Sequence, residues 1–172
     1  MHNTFAQNMM AMNVMPPGSY STSASWIVTG NSVRYVSMKN YNHVDFIINM
    51  GTTSEATAVM YLYQSKAPGT AVTNSSISTT ALSIGTFWTN KASVNGVFVR
   101  TAATSGAITI DSTNHATYIA GIDVTQLNAN SSYDCVAIAI GTGTISTTCN
   151  LQVTAILSGA KWEKDALLTA KA

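Results

Sequence analysis

Charge is what this chain has least of. Eight Lys and Arg and seven Asp and Glu make up 9% of its 172 residues, where a soluble domain ordinarily carries roughly a quarter. The net charge is +1 and the basic residues are scattered from Arg34 to Lys171. No basic stripe exists to neutralise phosphates, which argues against nucleic acid as a partner. Long apolar runs are missing too: none approaches the roughly eighteen residues of a spanning helix, so no membrane partner is expected. The N-terminal region has no basic n-region. Its Met9, Met10, Met12 and Val14 are interrupted by Asn8, Asn13 and Pro16-Pro17, so it does not read as a signal peptide. The three histidines, His2, His43 and His115, show no metal-ligand spacing, and no CxxC or acidic cluster accompanies them. No metal or other cofactor is therefore expected. Only two cysteines occur, Cys135 and Cys149. A hairpin through Gly141–Ser146 would set Cys135 nearer Gln152 than Cys149, so both are expected to be free, buried thiols.

Hydroxyls and amides take the place of charge. Ser, Thr and Asn number fifty-seven, and such groups cost far less than charges to bury against another protein. Charge depletion is also characteristic of the buried centre of protein interfaces. The composition points to a subunit that packs into an assembly.

Three regions follow from the pattern. Residues 1–18 read as an N-terminal arm, extended or briefly helical: Phe5, Met9 and Met12 fall three to four residues apart, and Pro16-Pro17-Gly18 stops any helix. Residues 19–159 read as a β-domain. Strands are expected at Trp26–Thr29, Val33–Met38, His43–Met50, Thr57–Ser65, Ala81–Trp88, Gly96–Ala102, Ala107–Ile110, Ala116–Val124, Tyr133–Ile140 and Cys149–Leu157. In Thr57–Ser65, Val59, Tyr61 and Tyr63 alternate with Ala58, Met60 and Leu62, so both faces are apolar and the strand should be central. About eight short strands separated by Gly, Asn and Ser clusters indicate an all-β, jelly-roll-like antiparallel sandwich. Residues 160–172 hold Lys161, Glu163, Lys164, Asp165 and Lys171 around Trp162, Leu167 and Leu168, and read as a short tail or terminal helix.

Catalytic constellations are weak. The best is Asp111, His115 and Asp123 with one of many nearby hydroxyls, a combination that a Ser- and Thr-rich composition supplies without any catalytic need. No carboxylate pair is flanked by an aromatic sugar platform. Gly141-Thr142-Gly143 lacks the Lys and helix of a phosphate loop and is expected to be a hairpin turn. The chain is not expected to be an enzyme.

Several segments carry a family resemblance. They are Asn3-Thr4-Phe5-Ala6-Gln7-Asn8, Val14-Met15-Pro16-Pro17, Tyr35-Val36-Ser37-Met38-Lys39-Asn40-Tyr41-Asn42-His43-Val44, and Ile122-Asp123, Leu127 and Tyr133-Asp134. Together they resemble the jelly-roll head decoration, or capsid cement, proteins of tailed bacteriophages. Residues 19–32 are an extra segment against that pattern. The resemblance implies a virion structural protein made in the host cytoplasm and carried on the capsid exterior. Its partners would be the major capsid protein, whose neighbouring subunits it would clamp, and further copies of itself. A phage tail or fibre component with a receptor- or glycan-binding β-module is the alternative. The interface residues expected from this reading are Phe5, Met9, Met10 and Met12 in the arm and Trp162, Leu167 and Leu168 in the tail. Deletion of residues 1–17 is expected to leave a folded monomer that no longer binds its particle.

Overall fold

The structure, a computed structural model, describes residues 9–21, 34–53, 57–66, 77–91, 96–111, 115–140 and 148–161. Eleven strands run through them: β1 (Met9–Ser21), β2 (Arg34–Ser37), β3 (Tyr41–Thr53), β4 (Thr57–Ser65), β5 (Ile77–Ala81), β6 (Thr86–Thr89), β7 (Val99–Ala102), β8 (Ile108–Asp111), β9 (Ala116–Asp123), β10 (Cys135–Ile140) and β11 (Thr148–Ala160). Two single turns of 3-10 helix, Val124–Gln126 and Ala129–Ser131, link β9 to β10. Period-two patterning explains the strands. In β9, Ala116, Tyr118, Ala120 and Ile122 are buried, while Thr117, Ile119 and Gly121 between them are half-buried. In β11, Leu151, Val153, Ala155 and Leu157 alternate with Gln152, Thr154, Ile156 and Ser158 in the same way.

Two antiparallel sheets result. Sheet A has the order β1-β11-β3-β9-β6-β7, and sheet B has β2-β10-β4 with β5 and β8 both on the far side of β4. Four pairings define the topology: β1 with β11, β2 with β10, β3 with β9 and β4 with β8. First pairs with last, second with next to last, and so inward. That is a long hairpin rolled into two sheets, the jelly roll. The three remaining strands, β5 to β7, are inserted between the fourth and fifth strands of the roll. Phe46, Ile48, Tyr118, Ile122, Val153 and Leu157 of sheet A meet Met60, Leu62, Ile108, Ile110, Val136 and Ile138 of sheet B to form one core.

β4 matches the residues expected of it and is covered on both faces. Met60 and Leu62 enter the core, while Tyr63 joins Ala137, Ala139, Tyr35, Tyr61 and Ala81 on the other side of sheet B. Other expectations are corrected. Residues 9–18 are no arm: they belong to β1, which pairs with β11 from Met9↔Ser158 to Ser21↔Thr148. Met10 and Met12 pack against the core from the side of Val14 and Met15, so their spacing serves alternation rather than a helical face. Pro16 and Pro17 break the register between Met15 and Gly18 instead of ending a helix. Residues 81–88 are not one strand, because the chain leaves sheet B at Ala81 and enters sheet A at Thr86.

β10 lies in sheet B and β11 in sheet A, so the two do not pair as a hairpin, and the expected turn at Gly141-Thr142-Gly143 lies outside the described residues. That places Cys135 opposite Ser37 and Ser65 in sheet B, and Cys149 opposite Tyr20 and Thr53 in sheet A. Cys135 is free and fully buried, as expected. Burial first, with the nearby Asp134 carboxylate, pushes its thiol up to about 12, so it stays an unreactive thiol. The expected strand Trp26–Thr29 lies outside the described residues.

Candidate interaction surface

The core rules place large apolar side chains inside, and four of the described residues disobey. Among the described residues Trp88 is 48% exposed, Val97 61%, Phe98 37% and Val99 51%. All four belong to β6, β7 and the approach to β7, at one border of sheet A. Single exposed apolar residues are ordinary; a cluster of them marks an interaction site. Register settles which way they face. Trp88 stands opposite Ile119 and Arg100, on the solvent side, while Thr89 stands opposite Tyr118 and Val99, on the core side. Trp88, Ile119 and Ile47 therefore form an apolar row across the outer face of three strands.

Val99 faces the core side of sheet A and is nonetheless exposed, with space left beside it. The space left is a cleft of about 240 Å³, lined by Phe87, Thr89, Lys91, Val99, Thr101, Ala102, Thr109 and Tyr118. The Phe87 and Tyr118 rings, with centroids 6.2 Å apart and tilted by 43°, contribute its aromatic part.

Beside the apolar row, on the same outer face, lies the densest charge cluster described. His43 Nδ1 is 2.9 Å from Asp123 Oδ1, and its Nε2 is 3.1 Å from Asp45 Oδ1. Both nitrogens must carry hydrogen to donate to both carboxylates, so the geometry favours the imidazolium. β3 supplies His43 and Asp45 two residues apart, hence on one face. β9 supplies Asp123 opposite His43, and Gly121 opposite Asp45. Gly121 is the seat of the ring: a Cβ there would lie 2.6 Å from Asp45 Oδ1 and 2.9 Å from His43 Cε1 and Nε2.

Partial burial alone would lower the His43 pKa. The hydrogen bonds to Asp123 and Asp45 and their charges outweigh it and raise the pKa above the ordinary 6.5. A raised folded-state pKa stabilises the fold fully below the unfolded value and ceases to as pH rises through the folded one. Thermal melts should therefore lose stability as pH is raised above 6.5, with a slope that His43→Gln removes. Gly121→Ala should push the ring off its carboxylates and return the His43 pKa, read by NMR titration, toward 6.5. An unchanged pKa in Gly121→Ala would refute the seat.

The expected Asp111–His115–Asp123 grouping is not assembled. His115 precedes the start of β9 and Asp123 ends it, which separates them by roughly 25 Å of strand. Asp123 is engaged by His43 instead. Of the residues expected at an interface, Met9, Met10 and Met12 are half-buried in β1, at the border of sheet A opposite to β7. Phe5, Trp162, Leu167 and Leu168 lie outside the described residues. Sequence reading passed over Trp88 and the run Val97-Phe98-Val99. The signal was present: three consecutive large apolar residues do not alternate, so at least one must leave the core.

No family model matches the chain, and no curated protein matches it. Among solved structures, the SPBc2 prophage-derived protein YomS aligns over 88% of this chain and 94% of its own, with a TM-score of 0.40 and 9% identity. The fold assignment rests on the strand pairing above.

Proposed function

We propose that this chain is a virion structural protein that decorates an assembled phage capsid from outside and clamps neighbouring major capsid subunits. The role is mechanical rather than catalytic and needs no cofactor, nucleic acid or membrane. The observation that carries it is the exposure of Trp88, Val97, Phe98 and Val99 along the β6–β7 border, Trp88 on the outer face and Val99 on the core side, in a chain that is only 9% charged. A free monomer gains nothing from showing such a group to water. A subunit that docks gains a central apolar contact, and Trp is over-represented among residues that dominate binding. The phage assignment follows from the sequence resemblance. Repetition by capsid symmetry, with copies beside one another, would turn individually weak contacts into a durable lattice. Phe5 and Met9 at one end, with Trp162, Leu167 and Leu168 at the other, are proposed as secondary contacts.

Cryo-electron microscopy of the particle that contains this protein tests the reading. Ordered density on the capsid lattice, with the Trp88 surface turned toward capsid subunits, is the expected result. Density confined to the tail or its fibres would replace it with the tail-module alternative. In a reconstituted system, Trp88→Ser combined with Phe98→Ser should weaken binding to undecorated capsids by roughly a hundredfold or more, with the melting temperature unchanged. Full decoration by that variant would exclude this surface as the docking face.

A further inference from the structure

We infer that β7 is a docking edge for an extended strand of a partner protein, one that alternates apolar residues with carboxylates. The inference rests on the docking surface proposed above and specifies how it is used. Sheet A has two outermost strands, and they differ. β1 is guarded: its register breaks twice, between Asn13 and Met15 and between Met15 and Gly18, and it contains Pro16 and Pro17. Bulges and prolines are the ordinary devices that keep an edge from pairing with another chain. β7 has neither. It pairs residue for residue with β6, from Val99↔Thr89 to Ala102↔Thr86. On its other side no strand pairs with it among the described residues. An edge of this kind offers alternate N–H and C=O groups that an added strand satisfies.

The cleft then explains why the added strand would be apolar on one face. Successive side chains of a strand point to opposite faces, so every second residue of the guest would face the core side of β7. That side holds Val99 and Thr101 beside Phe87 and Tyr118, in the cleft of about 240 Å³. Charge selects the other property. Lys91 is the one charged residue lining the cleft, and Arg100 lies on the opposite face of β7. The Arg100 Nε is held 3.3 Å from the Thr86 hydroxyl, to which it donates. The guest residues on that opposite face stand beside Arg100, and carboxylates there meet its charge favourably. Pairing of β7 with β7 of a second copy would instead bring two Arg100 to one seam, and like charges across a sheet repel.

The test uses the full chain and synthetic hexapeptides, acetylated and amidated, with a fluorescein label read by anisotropy. One peptide alternates leucine with glutamate, a second replaces glutamate by lysine, and a third is the glutamate peptide N-methylated at alternate residues. The glutamate peptide should bind, with each of the other two weaker by about tenfold or more. Val99→Arg, at an exposed position, should abolish binding while the melting curve stays that of the wild type. Equal binding of the N-methylated peptide would overturn strand addition, and equal or tighter binding of the lysine peptide would overturn the acidic partner. Self-association in ultracentrifugation, removed by Val99→Arg, would make a second copy the occupant and overturn the inference. If no peptide binds while Trp88→Ser with Phe98→Ser still abolishes capsid binding, strand addition fails and the docking surface stands.

Discussion

A chain that begins at residue 18 is expected not to fold, whereas one that begins at residue 9 is expected to. The shorter truncation removes only residues that precede β1. The longer one removes most of β1, with Val14 at 7% and Met15 at 0% exposure and with Met10 and Met12 packed on the core. Full burial of each such side chain stabilises by about 1.5–3 kcal/mol, and the ladder to β11 goes with them. The loss is roughly 5–10 kcal/mol, against a total stability of about 5–15 kcal/mol for a domain of this kind. The core face of β11 and its whole backbone edge would also open to water, an invitation to aggregate. Circular dichroism and a thermal melt distinguish the two truncations. A cooperative, native-like melt for the chain starting at residue 18 would show that β1 is dispensable and restore the arm reading. Loss of particle binding in that truncation says nothing about docking, because the body itself is gone.

Gly106→Ala is the second large loss. Ser105 and Gly106 form the two-residue turn between β7 and β8, with φ of +53° and +76°, and Ala107 N–H donates to the Thr104 carbonyl at 3.0 Å. Both signs are those of a type I′ turn, which favours glycine. Space is the greater obstacle. A Cβ at Gly106 would press into the carbonyl oxygen of Leu82, and that is backbone, unable to rotate away. Leu82 is itself pinned, since its N–H donates to the Leu62 carbonyl at 2.7 Å, while Gly85 accepts from Ala103 at 3.0 Å. The turn therefore rests on the four residues that carry the chain from sheet B to sheet A. Strain at positive φ and a forced backbone shift together cost about 2–4 kcal/mol, which lowers the melting temperature by roughly 6–12 °C in a chain of this size. A melt within a degree of wild type would show that the turn has room. Gly96, also at positive φ but with nothing within 4 Å of a Cβ, is the control that isolates the conformational part.

The fold was legible where one strand carried its own pattern. β4 is one case, with apolar residues on both faces over the span its alternation indicated; β9 and β10 are others. It was illegible where two patterns shared one stretch. Met9 and Met12 fit a helical spacing, but Met10 and Met12 also alternate with Ala11 and Asn13, and only the partner β11 decides between the two. Residues 81–88 look continuous because Leu82 and Ile84 are both buried, and nothing local marks the change of sheet. The candidate sites divide similarly. His43 and Asp45 are two residues apart and could be seen to share a face; Asp123, eighty residues on, reaches them only through the register of β3 with β9. The apolar run at residues 97–99 was visible, but its exposure depends on its place at the border of sheet A.

The pairing of first strand with last has a mechanical consequence. Met9 stands opposite Ser158, so the described chain starts and finishes at the same corner of the roll. Tension applied between those two points would peel β1 from β11 one rung at a time, the weakest way to load a sheet. Tension that enters at β7 and leaves at β1 crosses six strands in series and must break a whole ladder at once. Under the proposed clamping role, a load that runs across sheet A, with the two described ends on one neighbour, is the one the fold resists best.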